Sequence, residues 1–301
     1  MALRILVPAD DSPAAPLALN YAFGLADRLN GTLYVTGMSE EENDEPIVFV
    51  SPLDEQELTA ITSEYGHNLD VSVRTPDMGA GPVPIRMFVA DAAIDVVVIP
   101  THERKAVVRA VRGTLDDHVV RQLNVPVILL HPYRPGTLTH LELEHALIPL
   151  DGTPDSERAL DAVLLLDPDR RIRYTLVQVL VAPAPDTFPA IVAAEITQGE
   201  LKHDLREATD YLESVARRLR ARGSRVETAV LIRNDTGRAL LQEIEALNVD
   251  LIAMTTHARG GWRHHDVGGL PAKLLHHTST PVMLVNVSAR EPGASDLAQS
   301  R

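Results

Sequence analysis

Residues 145–153 read HALIPLDGT, and residues 3–12 read LRILVPADDS. In each stretch a short apolar run is followed by proline, one further residue and aspartate, so Asp10 and Asp151 occupy matching places 141 positions apart. A short apolar run that ends at such turn residues is typical of a buried strand in a parallel sheet. The chain therefore contains the same opening strand twice, which indicates an internal repeat.

Later landmarks repeat with one common spacing. The stretch VVVIPTHER at 96–104 matches LIAMTTHAR at 251–259. Three pairs of residues are 155 positions apart, namely His102 and His257, Gly113 and Gly268, and Pro126 and Pro281. Because this spacing exceeds that of the aspartates, we expect about fourteen additional residues in the second half, in the stretch 183–222.

The repeat divides the chain into two tandem domains. We predict an N-terminal domain at 1–133, a linker at 134–144, a C-terminal domain at 145–290 and a tail at 291–301. In both domains, runs of β-forming residues alternate with segments whose apolar residues recur every three or four positions. This alternation predicts an α/β, Rossmann-like fold with a five-stranded parallel sheet in each domain. Such sheets bind ligands at the carboxyl ends of their strands, where the strand order reverses.

Two segments of the chain have distinctive patterns. The stretch SEEENDEP at 39–46 is strongly acidic, and we predict a solvated loop there. From Leu201 to Leu219 apolar residues recur at helical spacing, with arginine and glutamate between them. We predict one long helix over 201–219 with a single apolar stripe.

The composition excludes several classes of function. The 301 residues contain no cysteine, which rules out disulfide scaffolds, thiolate metal sites and cysteine nucleophiles. The net charge of −14 disfavours a nucleic-acid partner, because phosphate backbones require clustered positive charge. No apolar run approaches the roughly 20 residues of a membrane-spanning helix, and the N-terminus becomes acidic too early for a signal peptide. We therefore expect a cytoplasmic protein with no membrane partner.

The paired histidines do not predict a metal site. His264 is next to His265, and His276 is next to His277. Adjacent side chains on a helix point about 100° apart, so neither pair chelates well. No cysteine or clear carboxylate partner completes a zinc site. We expect no metal other than Mg²⁺ carried by a bound nucleotide.

Asp10 and Asp151 are the first candidates for a ligand site. Each follows the first strand of its half, where the crevice of such a sheet opens. A carboxylate there can accept hydrogen bonds from ribose hydroxyls or from an adenine amino group. The alternative is that each aspartate caps the following helix. Ser12 and Thr153 already offer capping side chains, which leaves the aspartates available for a ligand.

The segment after the fourth strand of the second half is the second candidate. It begins at Thr255, passes through a run of small residues and ends at Gly268 and Gly269 before a helix. Backbone N–H groups of such a loop, together with a helix N-terminus, form a cradle for phosphate. The alternative is a flexible loop that is rich in glycine by chance.

These motifs resemble those of the universal stress protein family, in a tandem of two domains over residues 1–290. The resemblance rests on the aspartate after the first strand, the Thr-His dipeptide after the fourth, the loop G-x2-G-x9-G-[ST] and the closing Pro-Val strand. One subclass of the family binds ATP through that loop. In the second half the loop's glycine positions fall on Thr255, Ala258 and Gly268, and its hydroxyl position falls on Gly269.

In the first half the same loop positions fall on Pro100, Glu103, Gly113 and Thr114. Pro100 removes a backbone donor, and Glu103 brings a negative charge to the place where phosphates would approach. Residues 1–136 contain 10 basic and 19 acidic residues, against 18 and 23 in the remainder. We therefore expect ATP or AMP to bind most tightly in the C-terminal domain, with Asp10, Gly113 and Thr114 as the weaker site.

The resemblance also implies an arrangement of the two domains. Single domains of the family dimerise through their last strands, so we expect an intrachain pseudo-dimer through Val127–His131 and Val282–Val287, and the whole chain could also form a homodimer. The function implied is adenine-nucleotide binding with a stress-response or regulatory role and a protein partner that the sequence does not identify. A nucleotide-independent interaction module and a slow ATPase are the alternatives, and the ATPase ranks last because no general base is evident near the loop.

Overall fold

The computed structural model describes residues 2–9, 14–41, 47–66, 69–74, 82–101, 119–120, 122–131, 143–181, 190–256 and 269–287. Side chains are described in these ranges except at 40–41 and 190–200. The predicted linker and tail lie almost wholly outside the described residues, so the domain boundaries stay a prediction.

Both halves alternate strands with helices. The N-terminal half contains β1 (Arg4–Ala9), α1 (Ala15–Leu29), β2 (Thr32–Glu41), β3 (Ile47–Pro52), α2 (Glu55–Tyr65), β4 (Ser72–Arg74), β5 (Val83–Pro84), α3 (Ile85–Asp91), β6 (Val96–Pro100) and β7 (Val127–Leu130). The C-terminal half contains β8 (His145–Pro149), α4 (Pro154–Leu165), β9 (Arg173–Val181), α5 (Ala190–Arg220), β10 (Arg225–Arg233), α6 (Thr236–Leu247), β11 (Leu251–Thr256), α7 (Leu270–His277) and β12 (Val282–Asn286).

The described strands form one continuous sheet in the order β10-β9-β8-β11-β12-β7-β6-β1-β2-β3-β5, with β4 beside β2. All neighbours within the C-terminal half are parallel. In the N-terminal half β7, β6, β1, β2 and β4 are also joined by parallel pairing. The predicted α/β fold with a mostly parallel sheet in each of two tandem domains is confirmed.

The two halves meet through their last strands, as predicted. β12 pairs antiparallel with β7, and Met283 lies opposite Ile128. These two residues are equivalent in the repeat, 155 positions apart, so the pairing is symmetric about them. Val127–Leu130 and Val282–Asn286 are buried throughout. Without this pairing, each half would expose its apolar last strand as a free sheet edge. The pairing removes both edges, which is its physical reason.

Alternating residues of the central strands enter two separate cores. Ile5 and Val7 belong to one core, which also contains residues of α1 and α4, on one face of the sheet. Leu6 belongs to the second core, which contains residues of α3, α6 and α7, on the other face. Strands that are buried on both faces read as continuous apolar runs, which is why LRILV and HALIP resemble each other.

Strand β3 corrects the sequence prediction. The acidic stretch 39–46 is not a loop throughout, because residues 39–41 continue β2. Residues 42–46 lie outside the description, and Ile47–Pro52 then pairs antiparallel with β2. Val48 and Val50 are fully buried, so the apolar run IVFV drives this strand into the sheet.

Helix α5 is longer than predicted. It begins at Ala190 rather than at residue 201 and contains 31 residues, against 11 in α2, its counterpart in the first half. This difference agrees with the additional residues expected in 183–222. Leu212, Val215 and Leu219 bury one stripe of α5, whereas α2 has no buried residue.

Candidate functional site

A cleft of about 630 Å³ opens at the carboxyl ends of the strands in the C-terminal half. Because β8 has β9 on one side and β11 on the other, the cleft lies where the strand order reverses. The strand ends Pro149–Asp151, Val177–Val179 and Met254–Thr256 line it, together with Ser156, Thr236 and Gly269–Pro271 from the helices. The site is therefore built by the three adjacent strands β9, β8 and β11, the turn after β8, and the N-termini of α4, α6 and α7.

Asp151 lies in the turn between β8 and α4. Its Oδ1 accepts hydrogen bonds from the Thr153 backbone N–H at 2.9 Å and from the Thr153 hydroxyl at 2.6 Å. The Thr153 side chain in turn accepts from the Ser156 N–H and caps α4. The capping alternative for Asp151 is therefore not the arrangement found, because Thr153 supplies the cap and Asp151 orients Thr153.

The Asp151 carboxyl is held in its charged form. Partial burial raises its pKa, but the hydrogen bonds from Thr153 and Ser156 outweigh this effect, and the pKa lies below its ordinary value. An ionised carboxylate only accepts hydrogen bonds. At neutral pH Asp151 therefore offers the cleft an acceptor suited to hydroxyl or amino donors.

The N-terminus of α7 faces the same cleft. Gly269 is the N-cap residue and makes no side-chain cap, so the first N–H groups of the helix receive no bond from it. These groups and the helix dipole attract an anion. Thr255, near the end of β11, lines the cleft beside them.

An ion pair joins α6 to α7 near the cleft. The Lys273 Nζ lies 2.8 and 2.7 Å from the two carboxylate oxygens of Asp235, which also caps α6 by accepting from the Arg238 N–H. Gly237 makes room for this contact, because a β-carbon there would stand 2.5 Å from the Lys273 Cδ. The pair fixes the N-terminus of α6, with Thr236, next to that of α7.

The sequence profile of the universal stress protein family matches residues 1–131 and 142–286. The chain belongs to this family. It is 24% identical over 230 residues to the universal stress protein Rv2005c of Mycobacterium tuberculosis (strain ATCC 25618 / H37Rv), with 74% of this chain and 72% of that protein covered.

Two solved structures share the fold over nearly the whole chain. A universal stress protein from Archaeoglobus fulgidus DSM 4304 has a TM-score of 0.61 at 14% identity and covers 94% of this chain and 96% of its own. The functionally unknown protein PA1789 of Pseudomonas aeruginosa PAO1 has a TM-score of 0.53 at 14% identity, with 95% and 93% covered. At this identity the likeness concerns the fold alone.

Three of the residues predicted from the family motif line this cleft, namely Asp151, Thr255 and Gly269. The other five, which are Ala258, Gly268, Asp10, Gly113 and Thr114, lie outside the described residues, as does Glu103. Their roles stay predictions.

Sequence analysis missed Gln178, Thr236 and the Asp235–Lys273 pair. Gln178 is the polar residue within the strand-forming run YTLVQVLV at 174–181, and that interruption was the available signal. The ion pair spans 38 positions between two helices, and no local pattern indicates such a contact.

Neither a metal cluster nor a membrane span is found in the described part of the chain. No three histidine or acidic residues there are grouped to hold a metal ion. No helix among the described residues is long and apolar enough to cross a membrane.

Proposed function

We propose that the protein binds an adenine nucleotide, ATP or AMP, in the cleft of its C-terminal half, and that it serves a stress-response or regulatory role through binding rather than turnover. The proposal rests on one observation. Asp151, Thr255 and Gly269 line one cleft, and this cleft opens where the strand order of the sheet reverses. A volume of about 630 Å³ lies within the usual range of small-ligand pockets.

The geometry supports a defined orientation of the nucleotide. The N–H groups at Gly269 suit phosphate, and the Asp151 carboxylate suits the ribose hydroxyls. Neighbouring strands are about 4.8 Å apart, so β9 lies roughly 10 Å from β11 across β8. With phosphate near β11 and ribose near β8, the base lies over the end of β9, between Val177 and Val179.

Titration calorimetry tests the proposal on the full chain. ATP and AMP should both bind, and Asp151→Asn should weaken both by about tenfold or more, because a hydrogen bond to a charged group contributes about 1.5–3 kcal/mol. A nucleotide that lacks both ribose hydroxyls should bind less tightly to the unsubstituted protein and should be insensitive to Asp151→Asn.

Thr153→Ala is the matched control. It removes the cap of α4, which costs about 1 kcal/mol of folding stability, but leaves the Asp151 carboxylate in place. ATP affinity should remain within about threefold of the unsubstituted protein. Absence of ATP and AMP binding by the unsubstituted chain would contradict the proposal and favour the nucleotide-independent interaction module.

A further inference from the structure

Strand β10 forms one end of the continuous sheet and leaves a long edge open. It pairs with β9 over nine residues, and no described strand pairs with its other side. At the opposite end of the sheet, β4 and β5 contain only three and two residues. The unpaired N–H and C=O groups of a long edge are a template for a further strand. Among the described strands, β10 therefore offers the long edge.

The side chains of β10 suit contact with another strand. Residues 228–232 read TAVLI and are half-buried, and the flanking residues Glu227 and Arg233 are exposed. Neither of these two charges forms an ion pair within the described ranges. The strand contains no proline or lysine, the residues that commonly protect a sheet edge from pairing.

A hydrogen bond from α5 shows which backbone groups of β10 face the open edge. The Val226 carbonyl accepts from the Arg220 guanidinium at 2.7 and 3.0 Å, so it points away from β9. Along a strand, the N–H and C=O of one residue point to one side and those of the next residue to the other. The groups of Thr228, Val230 and Ile232 therefore face the open edge, and the Val226 carbonyl already has a partner.

We propose that β10 pairs antiparallel with β10 of a second copy of this chain, with Val230 opposite the partner's Val230. In this register Glu227 lies opposite the partner's Arg233, and the twofold axis repeats the pair. Opposite charges directly across a strand pair stabilise it. Because the described strands offer one long edge, we expect a closed dimer rather than a filament. No residue of β10 lines the cleft, so this inference does not depend on the proposed function.

The neighbouring registers are less favourable. A shift of the axis by one residue towards the start of β10 would place Arg225 opposite the partner's Arg233 and would require the Val226 carbonyl. A shift towards the end of β10 would bring Glu227 opposite the partner's Asp235. Like charges directly opposite each other destabilise a strand pair. The charges and the occupied carbonyl therefore select the register centred on Val230.

Sedimentation velocity of the full chain over a range of concentrations tests the proposal. The unsubstituted chain should form a dimer. Glu227→Arg and Arg233→Glu each place like charges opposite one another at both symmetric positions, so each should raise the dissociation constant of the dimer about tenfold or more. The double variant restores opposite charges and should recover the dimer.

Asp91→Arg is the matched control. It reverses the charge of an exposed residue at the end of α3, in the other half of the chain, and should leave the dissociation constant unchanged. Circular dichroism should show the same secondary structure in every variant, because all three substituted side chains are exposed.

Three results would overturn the proposal. One is a monomer at every accessible concentration of the unsubstituted chain. Another is a dimer with the same dissociation constant in both single variants, which would place the interface elsewhere. The third is a double variant that remains as weak as the single variants, which would contradict the register centred on Val230.

Discussion

The two halves share one architecture but differ at the open end of the second strand. In the C-terminal half β9 pairs with the parallel β10 over nine residues and presents Gln178 to the cleft. In the N-terminal half β2 is divided, with Thr32–Tyr34 beside the parallel β4 and Thr36–Glu41 beside the antiparallel β3. Strand β3 places Ser51 opposite Gly37. Gly37 is the counterpart of Gln178, because Pro8 pairs with Thr36 as Pro149 pairs with Val177.

This difference supports the proposal that the nucleotide binds in the C-terminal half. The sheet positions of the two halves are equivalent, so their scaffolds give no preference. The halves differ in two respects. Strand β3 is inserted into the sheet of the first half, and the first half has the larger excess of acidic over basic residues.

The largest effect is expected at the N-terminus of α7. Gly269→Asp places a carboxylate where the proposed phosphate approaches, and two unit charges about 4 Å apart repel by roughly 4 kcal/mol at an effective dielectric of 20. ATP affinity measured by calorimetry should fall by about a thousandfold. Folding should not suffer, because aspartate is a favoured N-cap residue and Gly269 has extended backbone angles.

Gly269→Asn separates charge from bulk in that experiment. Asparagine has nearly the same size and also caps helices, so it should weaken ATP binding far less than aspartate does. Equal losses in the two variants would show that phosphate does not lie at this helix end.

The second effect concerns the junction of the halves. Met283 is fully buried opposite Ile128, so Met283→Ala should lower the free energy of unfolding by about 3 kcal/mol in denaturant titrations. Met87 is 50% exposed, and Met87→Ala should change it by less than about 0.5 kcal/mol. Similar changes in the two variants would argue against the continuous sheet.

The third prediction concerns the contact between β2 and β3 in the first half. Gly37→Ala should lower the free energy of unfolding by about 1–3 kcal/mol, because the new β-carbon meets the Ser51 Oγ at 2.6 Å. Ser51→Ala removes that oxygen, so the double variant should recover most of the loss. A double-mutant cycle by chemical denaturation measures this coupling, and additive costs would refute the contact.

The smallest effect is a pH dependence confined to the second half. Burial and the nearby Arg173 guanidinium lower the pKa of His145 below its usual value, against the opposing effects of the Leu247 carbonyl, Asp250 and Glu227. Its Nδ1 lies 3.0 Å from the Arg173 guanidinium and its Nε2 lies 2.8 Å from the Thr175 hydroxyl. The Leu247 carbonyl oxygen also lies 3.2 Å from Nδ1, so the two neighbours favour opposite protonation states, and protonation would place a second positive charge beside the Arg173 guanidinium.

Because the folded-state pKa is depressed, the stability from His145 is present above the unfolded pKa of about 6.5 and is lost as pH falls below it. Denaturation midpoints between pH 7.5 and 5 should therefore fall less steeply in His145→Gln. The counterpart of His145 in the repeat is Arg4, so the first half has no histidine at this place. An unchanged slope in His145→Gln would contradict the assignment.

The sequence was sufficient to predict the tandem fold, because duplicated landmarks and continuous apolar strands are local patterns. It also placed Asp151, Thr255 and Gly269 at one edge of the sheet, since the carboxyl ends of parallel strands share an edge, and these residues line one cleft. Their roles in binding stay predictions. Strand β3 was missed because its short apolar run directly follows an acidic stretch.

The place of Gln178 at the cleft depends on the register between β8 and β9, which no single segment encodes. The Asp235–Lys273 pair likewise depends on the space at Gly237, on a different helix from Lys273. These features required the packed structure, because each joins segments that are distant in the chain.

The central claim is that one half of the molecule keeps the nucleotide site. Electron density from a crystal grown with ATP tests it most directly. The account predicts one nucleotide per chain, with phosphates at Gly269, ribose at Asp151 and the base beside Val177 and Val179 of β9, and no nucleotide density beside Gly37. Nucleotide density in the N-terminal half, or none in the C-terminal cleft, would contradict it.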